Sequence, residues 1–295
     1  MSKQQLDFIL RMSAENPPPD QATPDQLRSW FEAANAATPV AADCHIERVP
    51  CGPAGGDLIH PFGGDETKLI IYYHGGGFVF GSSRSHRVIA TNLARVAGCP
   101  VLAADYRLAP EYPAPVAHDD AFAVYQWALN KAAAPVKIAL AGDSAGGNLA
   151  LATAVRARMA ADRLPQAVVL MSPALDLASE GDSHRSVVDA PLLTPQLMGL
   201  FNACYIGGGD LKSAAVTPFY ADFTGLAPTL VHVGTREILR DDSVTVVERL
   251  KLAGVQAELK IWDGMCHSWQ LFAPMLDEGM ASIDEAGAFI KARLS

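Results

Sequence analysis

The chain has 295 residues, 49% hydrophobic and 19% charged, with a net charge of −9 and a pI near 5.3. That length suits one large single-core domain or two small ones, and the negative surface repels phosphate backbones, which argues against nucleic-acid binding. The apolar run at the N-terminus is too short and interrupted for a signal peptide or a stable membrane insertion, and five scattered cysteines without a CxxC pair argue against a disulfide framework or structural zinc, so a cytoplasmic location is the expectation.

In chain order, the first forty residues read as two short helices. "TPDQLRSWFEAANAA" places Leu27, Trp30, Phe31 and Ala34 at helical spacing, with Thr23 as N-cap and Pro24 at the first helical position. The preceding "NPPP" separates this helix from one over residues 4–13. "CHIERVP" and "DLIHPF" then read as an opening hairpin. Apolar runs follow at 68–74, 100–106, 136–142, 166–172, 229–234 and 258–262. Helical stretches are predicted at 85–97, 116–130, 145–160, 241–253 and 278–293. Such alternation predicts an α/β fold, a mostly parallel central sheet with helices on both faces.

The stretch from about 174 to 227 is far longer than an ordinary crossover. It contains "APLLTPQLMGLFNACYIGG", a plausible inserted helix. The predicted organisation is therefore residues 1–40 as the N-terminal helical part of a cap, 41–173 as the first part of the core, 174–227 as an inserted cap segment, and 228–295 as the second part of the core. The cap is placed over the C-terminal edge of the sheet, where open α/β sheets bind ligands.

"KIALAGDSAGGNLALATAV" carries the chemistry. A strand ends in Gly142-Asp143-Ser144-Ala145-Gly146 and a helix begins at once. G-x-S-x-G between strand and helix is the nucleophile elbow of α/β-hydrolases. The sharp turn lifts the Ser144 hydroxyl above the sheet, and glycines on either side avoid collisions. The helix N-terminus offers free N–H groups and a positive dipole end. "HGGG" at 74–77 follows the strand at 68–74 and matches the loop that supplies oxyanion donors in esterases. Gly76, Gly77 and Ala145 are the candidate donors, with His74 as a loop organiser. A phosphate loop would need G-K-[ST], which is lacking here.

HGGG at 74–77, "DYRLAPEYPAP" at 105–115, GDSAGG at 142–147 and "DGMCHSW" at 263–269 occur in an order that resembles the bacterial hormone-sensitive-lipase-like family of serine carboxylesterases. The resemblance spans roughly residues 60–275. It implies an α/β-hydrolase core with a helical cap, no metal and no organic cofactor, and a small-molecule ester of short or medium acyl chain as substrate. Relatives often pair through edge strands or the last helix, so a homodimer is the expectation that the resemblance brings.

The triad order on this fold is Ser, then Asp or Glu, then His. His267 fits both the order and the family motif. His45, His60, His74, His86 and His118 precede the serine; His184 falls in the cap segment and His232 on a strand. For the acid, the family usually writes Asp-Pro-Leu-Arg-Asp-Glu. This chain writes Glu237-Ile238-Leu239-Arg240-Asp241-Asp242, which sets Glu237 on the catalytic position. Asp241 is the rival, although Asp241 and Asp242 at a helix start also suit the dipole. The expected reaction is ester hydrolysis through an acyl-enzyme on Ser144. An amidase, deacetylase or thioesterase would use the same groups, whereas a ligand receptor on this fold predicts a broken triad. Asp105, Arg107 and Glu111 are read as partners that hold a proline-stiffened loop. Phe78, Phe80, Phe201, Tyr205 and Trp269 are read as pocket lining or core.

Overall fold

The computed structural model describes residues 3–19, 22–131 and 136–295. Two helices come first, α1 (Lys3–Glu15) and α2 (Pro24–Asn35). Thr23 and Gln26 form a reciprocal capping box at the start of α2, with Pro24 in the first turn, so the local sequence fixes this boundary.

The hairpin is β1 (Cys44–Val49) and β2 (Gly56–Pro61), and it is antiparallel. Next come β3 (Lys68–Tyr73), α3 (Arg87–Ala97), β4 (Val101–Ala104), α4 (Val116–Lys131), β5 (Lys137–Asp143), α5 (Ala145–Met159) and β6 (Ala167–Met171). The segment after β6 holds the single-turn α6 (Ser183–Ser186), α7 (Pro195–Tyr205) and a 3₁₀ turn at Pro218–Tyr220. The chain closes with β7 (Thr229–Gly234), α8 (Arg240–Leu252), β8 (Ala257–Trp262), a 3₁₀ stretch at Trp269–Met275 and α9 (Asp277–Leu294).

The eight strands form one sheet in the order β1-β2-β4-β3-β5-β6-β7-β8. Pairs involving β2 are antiparallel, and every pair from β4 onward is parallel. All residues of β6 and β7 are buried, as in a sheet covered on both faces. Alternation sorts the side chains. Ile71, Tyr73, Leu140 and Leu170 face Val124, Leu149 and Val246 of α4, α5 and α8. Ile70, Tyr72, Val169 and Leu230 face Ile89 and Leu93 of α3 and Ile283 and Ile290 of α9. Each fully buried aliphatic side chain contributes on the order of 1.5–3 kcal/mol.

The predicted elements stand, with ends shifted by one or two residues. Helix α3 begins at Arg87 rather than 85 because the Ser82 side chain and carbonyl organise a turn over Ser85 and His86.

Candidate active site

Ser144 occupies the turn between β5 and α5 at φ 52°, ψ −120°, a strained conformation for a side-chain-bearing residue. The turn is possible because position 146 carries no side chain: a Cβ on Gly146 would run into the Tyr73 carbonyl oxygen. Of the seven described non-glycine residues with positive φ, Ser144, Ser172 and Ser268 are joined by hydrogen bonds to His267, Glu237 and Asp143, respectively.

The loop after β8 carries His267, whose Nε2 lies 2.9 Å from Ser144 Oγ. Its Nδ1 lies 2.9 Å from Glu237 Oε2. Glu237 sits between β7 and α8, is fully buried, and its other oxygen accepts hydrogen bonds from Gly234 N–H (2.6 Å) and Ser172 Oγ (2.8 Å). Serine, imidazole and carboxylate thus form an unbroken hydrogen-bonded chain.

Asp241 and Asp242 lie elsewhere. Both fall in the first turn of α8, where the sequence placed them to suit the helix dipole, although neither side chain caps the helix. Asp241 accepts from Ser183 N–H at 2.8 Å. Asp242 accepts from Leu175 and Asp176 N–H groups and pairs with His184 Nε2 at 2.9 Å. Both therefore bind the segment that follows β6, and burial pushes the Asp242 carboxyl up, partly opposed by His184. Arg240 bonds Asp241, and Arg236 reaches within 3.9 Å of Asp189.

In the glycine loop after β3, Gly76 (φ 110°) and Gly77 (φ 60°) both adopt positive φ, and the preceding Gly75 N–H is tied to Asp143, the residue before the serine. Neither the N–H groups of Gly76 and Gly77 nor that of Ala145 donates a hydrogen bond to another described residue. Phe201 of α7 packs on Gly77 so closely that a Cβ there would enter its ring. His74 is buried, holds the Gly75 carbonyl through Nδ1 (2.7 Å) and stacks on Tyr106. Burial, with the neighbouring His86, lowers its pKa to about 4, which fits a neutral organiser of the loop.

Several residues that the sequence did not single out support these loops. Asp143, buried just before the serine, accepts from Tyr72 Oη (2.5 Å), Gly75 N–H (2.9 Å) and Ser268 Oγ (3.1 Å). Its place inside G-x-S-x-G was the available signal. Asn148 of α5 meets His118 Nε2 at 2.9 Å, and His118 Nδ1 meets Tyr205 Oη at 2.7 Å, which pins α7 to the core. Phe78 stacks on Tyr205, with ring centroids 4.1 Å apart.

The N-terminal helices brace both loops. Leu6 and Ile9 of α1 pack against Met265, Cys266 and Trp269, which flank His267. Arg28 of α2 donates to the carbonyls of Val79 and Ala109 and pairs with Glu111. Asp105 and Arg107 pair with Arg48 and Asp120, as expected of loop-holding ions. Cys266 is fully buried, and its thiol is pushed up to about 12 by desolvation, so it is no competing nucleophile. His232, on β7, bonds Ser282 and its pKa is lowered to about 3 by burial.

A strained serine at a strand–helix turn, bonded to a histidine that is in turn held by a buried acid, on a mostly parallel sheet, defines a hydrolase of the α/β type. Comparison with known proteins agrees. Residues 70–271 match the family model described as alpha/beta hydrolase fold. The chain is 39% identical over 228 residues to an acetyl-hydrolase of Streptomyces hygroscopicus, covering 77% of this chain and 76% of that one. It is 37% identical over 225 residues to an esterase of Acinetobacter venetianus, covering 76% and 74%. An esterase from the bacterial hormone-sensitive lipase family superposes with a TM-score of 0.95 at 38% identity over the whole of both chains. A double-mutant form of the esterase E40 gives the same values. The chain belongs to the α/β-hydrolase family, in its bacterial hormone-sensitive-lipase-like branch.

Proposed function

We propose that this protein is a serine carboxylesterase that hydrolyses short- to medium-chain carboxylic esters. The observation that carries the reading is the chain Ser144 Oγ–His267–Glu237, with both links at 2.9 Å. The Ser144 oxygen attacks the ester carbonyl while His267 Nε2 takes its proton. Glu237 holds the ring through Nδ1–H and stabilises the imidazolium. The N–H groups of Gly76, Gly77 and Ala145 receive the oxyanion. As the tetrahedral intermediate collapses, the imidazolium protonates the departing alcohol and the acyl group stays on Ser144. Water, deprotonated by His267, then attacks the acyl carbon, and the carboxylic acid leaves with Ser144 restored.

In this reading α1 and α2, within residues 1–40, and the 174–227 segment form the cap. The contacts of α1 with the His267 loop, of Arg28 with the oxyanion loop and of Phe201 with Gly77 support that assignment. Among the described residues no helix is long and apolar enough to cross a membrane. A cytoplasmic location and a homodimer belong to the same proposal; the unpaired edge of β8, with Ile261 exposed, offers a pairing surface. The test is hydrolysis of p-nitrophenyl esters of increasing acyl length by wild type and Ser144→Ala. Strong short-chain turnover that is lost in Ser144→Ala supports the reading. A folded wild type inert on every ester overturns it.

A further inference from the structure

We propose that Ser172 is a positioning residue for the reaction, the group that makes a glutamate serviceable at position 237. This rests on the reading of Glu237 as the acid that orients His267. A glutamate has one more methylene than the aspartate usual in the family, hence one more torsion. Its carboxylate keeps one oxygen on His267 Nδ1 only if the other oxygen is fixed.

Two donors fix it, Gly234 N–H and the Ser172 hydroxyl. The first belongs to Gly234, the last residue of β7, only three positions before Glu237 in the same stretch of chain. Only Ser172 ties the carboxylate to a separate element, the end of β6.

The geometry of Ser172 fits this task. It is fully buried, and its backbone sits at φ 45°, where a side-chain-bearing residue is disfavoured. Its own N–H is anchored to the His232 carbonyl on β7 at 2.7 Å. A hydroxyl has one proton and two lone pairs. The proton goes to Glu237 Oε1, and a lone pair accepts the N–H of Ser268, 3.2 Å away, the residue after His267. One hydroxyl therefore sets the spacing between the acid and the loop that bears the base.

The connection extends further. Ser268 Oγ donates to Asp143 Oδ2, and Asp143 Oδ1 accepts the Gly75 N–H at the start of the oxyanion loop. Glu237, Ser172, Ser268, Asp143 and Gly75 thus form a second hydrogen-bonded line behind the reacting groups. It joins the acid, the base loop and the oxyanion loop without touching substrate.

The experiment compares Ser172→Ala and Ser172→Gly with wild type and Glu237→Gln on p-nitrophenyl acetate and butyrate, with melting temperatures measured in parallel. Glycine accepts the positive φ, so it separates loss of the hydroxyl from backbone strain. The expected result is a roughly 10- to 100-fold fall in kcat for both variants, since displacement of a catalytic group by about 1 Å costs on that scale. KM should stay within about threefold, because Ser172 does not touch the substrate. In a Glu237→Asp background, Ser172→Gly should cost less than about threefold, because the shortened carboxylate no longer spans both partners and the effects are non-additive. Folded Ser172 variants that retain wild-type kcat, or losses that multiply fully with Glu237→Asp, overturn the proposal. If Glu237→Gln is inactive while both Ser172 variants stay active, only the Ser172 assignment fails. If Glu237→Gln itself stays active, the assignment of the acid fails with it.

Discussion

Asp143 offers a prediction whose size follows from its surroundings. Burial alone would push its carboxyl up, but His86, with Nε2 at 3.6 Å, and the Tyr72 hydroxyl pull harder, so its pKa falls from 3.8 to about 2. A difference of nearly two units corresponds to about 2 kcal/mol favouring the folded ionised form. Because the folded pKa is depressed, this stabilisation is fully present above the unfolded value near 4. It is lost progressively as the pH falls through about 2. Asp143→Asn removes the charge but keeps one acceptor oxygen for Tyr72 and Gly75. Asp143→Ala leaves three buried donors without an acceptor, at about 1–3 kcal/mol each. Urea denaturation at pH 7 should therefore show Asp143→Asn about 2 kcal/mol less stable than wild type and Asp143→Ala at least about 3 kcal/mol less stable. At pH 3 the gap between wild type and Asp143→Asn should narrow by about 1 kcal/mol. A gap that stays constant from pH 7 to pH 3, or an Asn variant as stable as wild type, would refute the reasoning.

Gly77→Ala places a methyl group into the Phe201 ring at a residue whose φ is 60°. Steady-state kinetics should show kcat reduced by about 10²–10³, the scale of losing one oxyanion donor. Adding Phe201→Ala should recover part of the loss by removing the clash. Arg28→Ala deletes two bonds to loop carbonyls, each worth about 1 kcal/mol, and an ion pair with the half-exposed Glu111 that adds little. Denaturation should report a loss of about 2 kcal/mol, only partly restored by Arg28→Lys, because an ammonium cannot reproduce the planar fork. A loss below about 0.5 kcal/mol would show that α2 does not brace the oxyanion loop.

Much of the fold was legible because its signals are local. Apolar runs such as "VKIALAG" and "TLVHVG" declare buried strands, and Thr23 with Gln26 declares the start of α2. The serine, the glycine loop and the late histidine were legible for the same reason, since each motif is shaped by the turn it must adopt. The acid was harder. Three carboxylates follow β7 within eight residues, and only the fold separates Glu237, turned inward to His267, from Asp241 and Asp242, turned to the segment after β6. Ser172, Ser268 and His118 left no sequence signal. Their partners lie 30–125 positions away along the chain, and a serine at a strand end or a histidine in a helix has no pattern that announces such contacts. The bracing by α1 was hidden similarly: Leu6 and Ile9 mark an apolar face, but not that it covers the loop of His267.

The most direct test of the account compares kcat/KM for Glu237→Gln and Asp241→Asn on one short-chain p-nitrophenyl ester, with both variants confirmed as folded. The account predicts a fall of about 10²–10⁴ for Glu237→Gln, the scale on which a triad acid acts, and a value within a few fold of wild type for Asp241→Asn. Near-normal turnover in Glu237→Gln together with collapse in Asp241→Asn would contradict it.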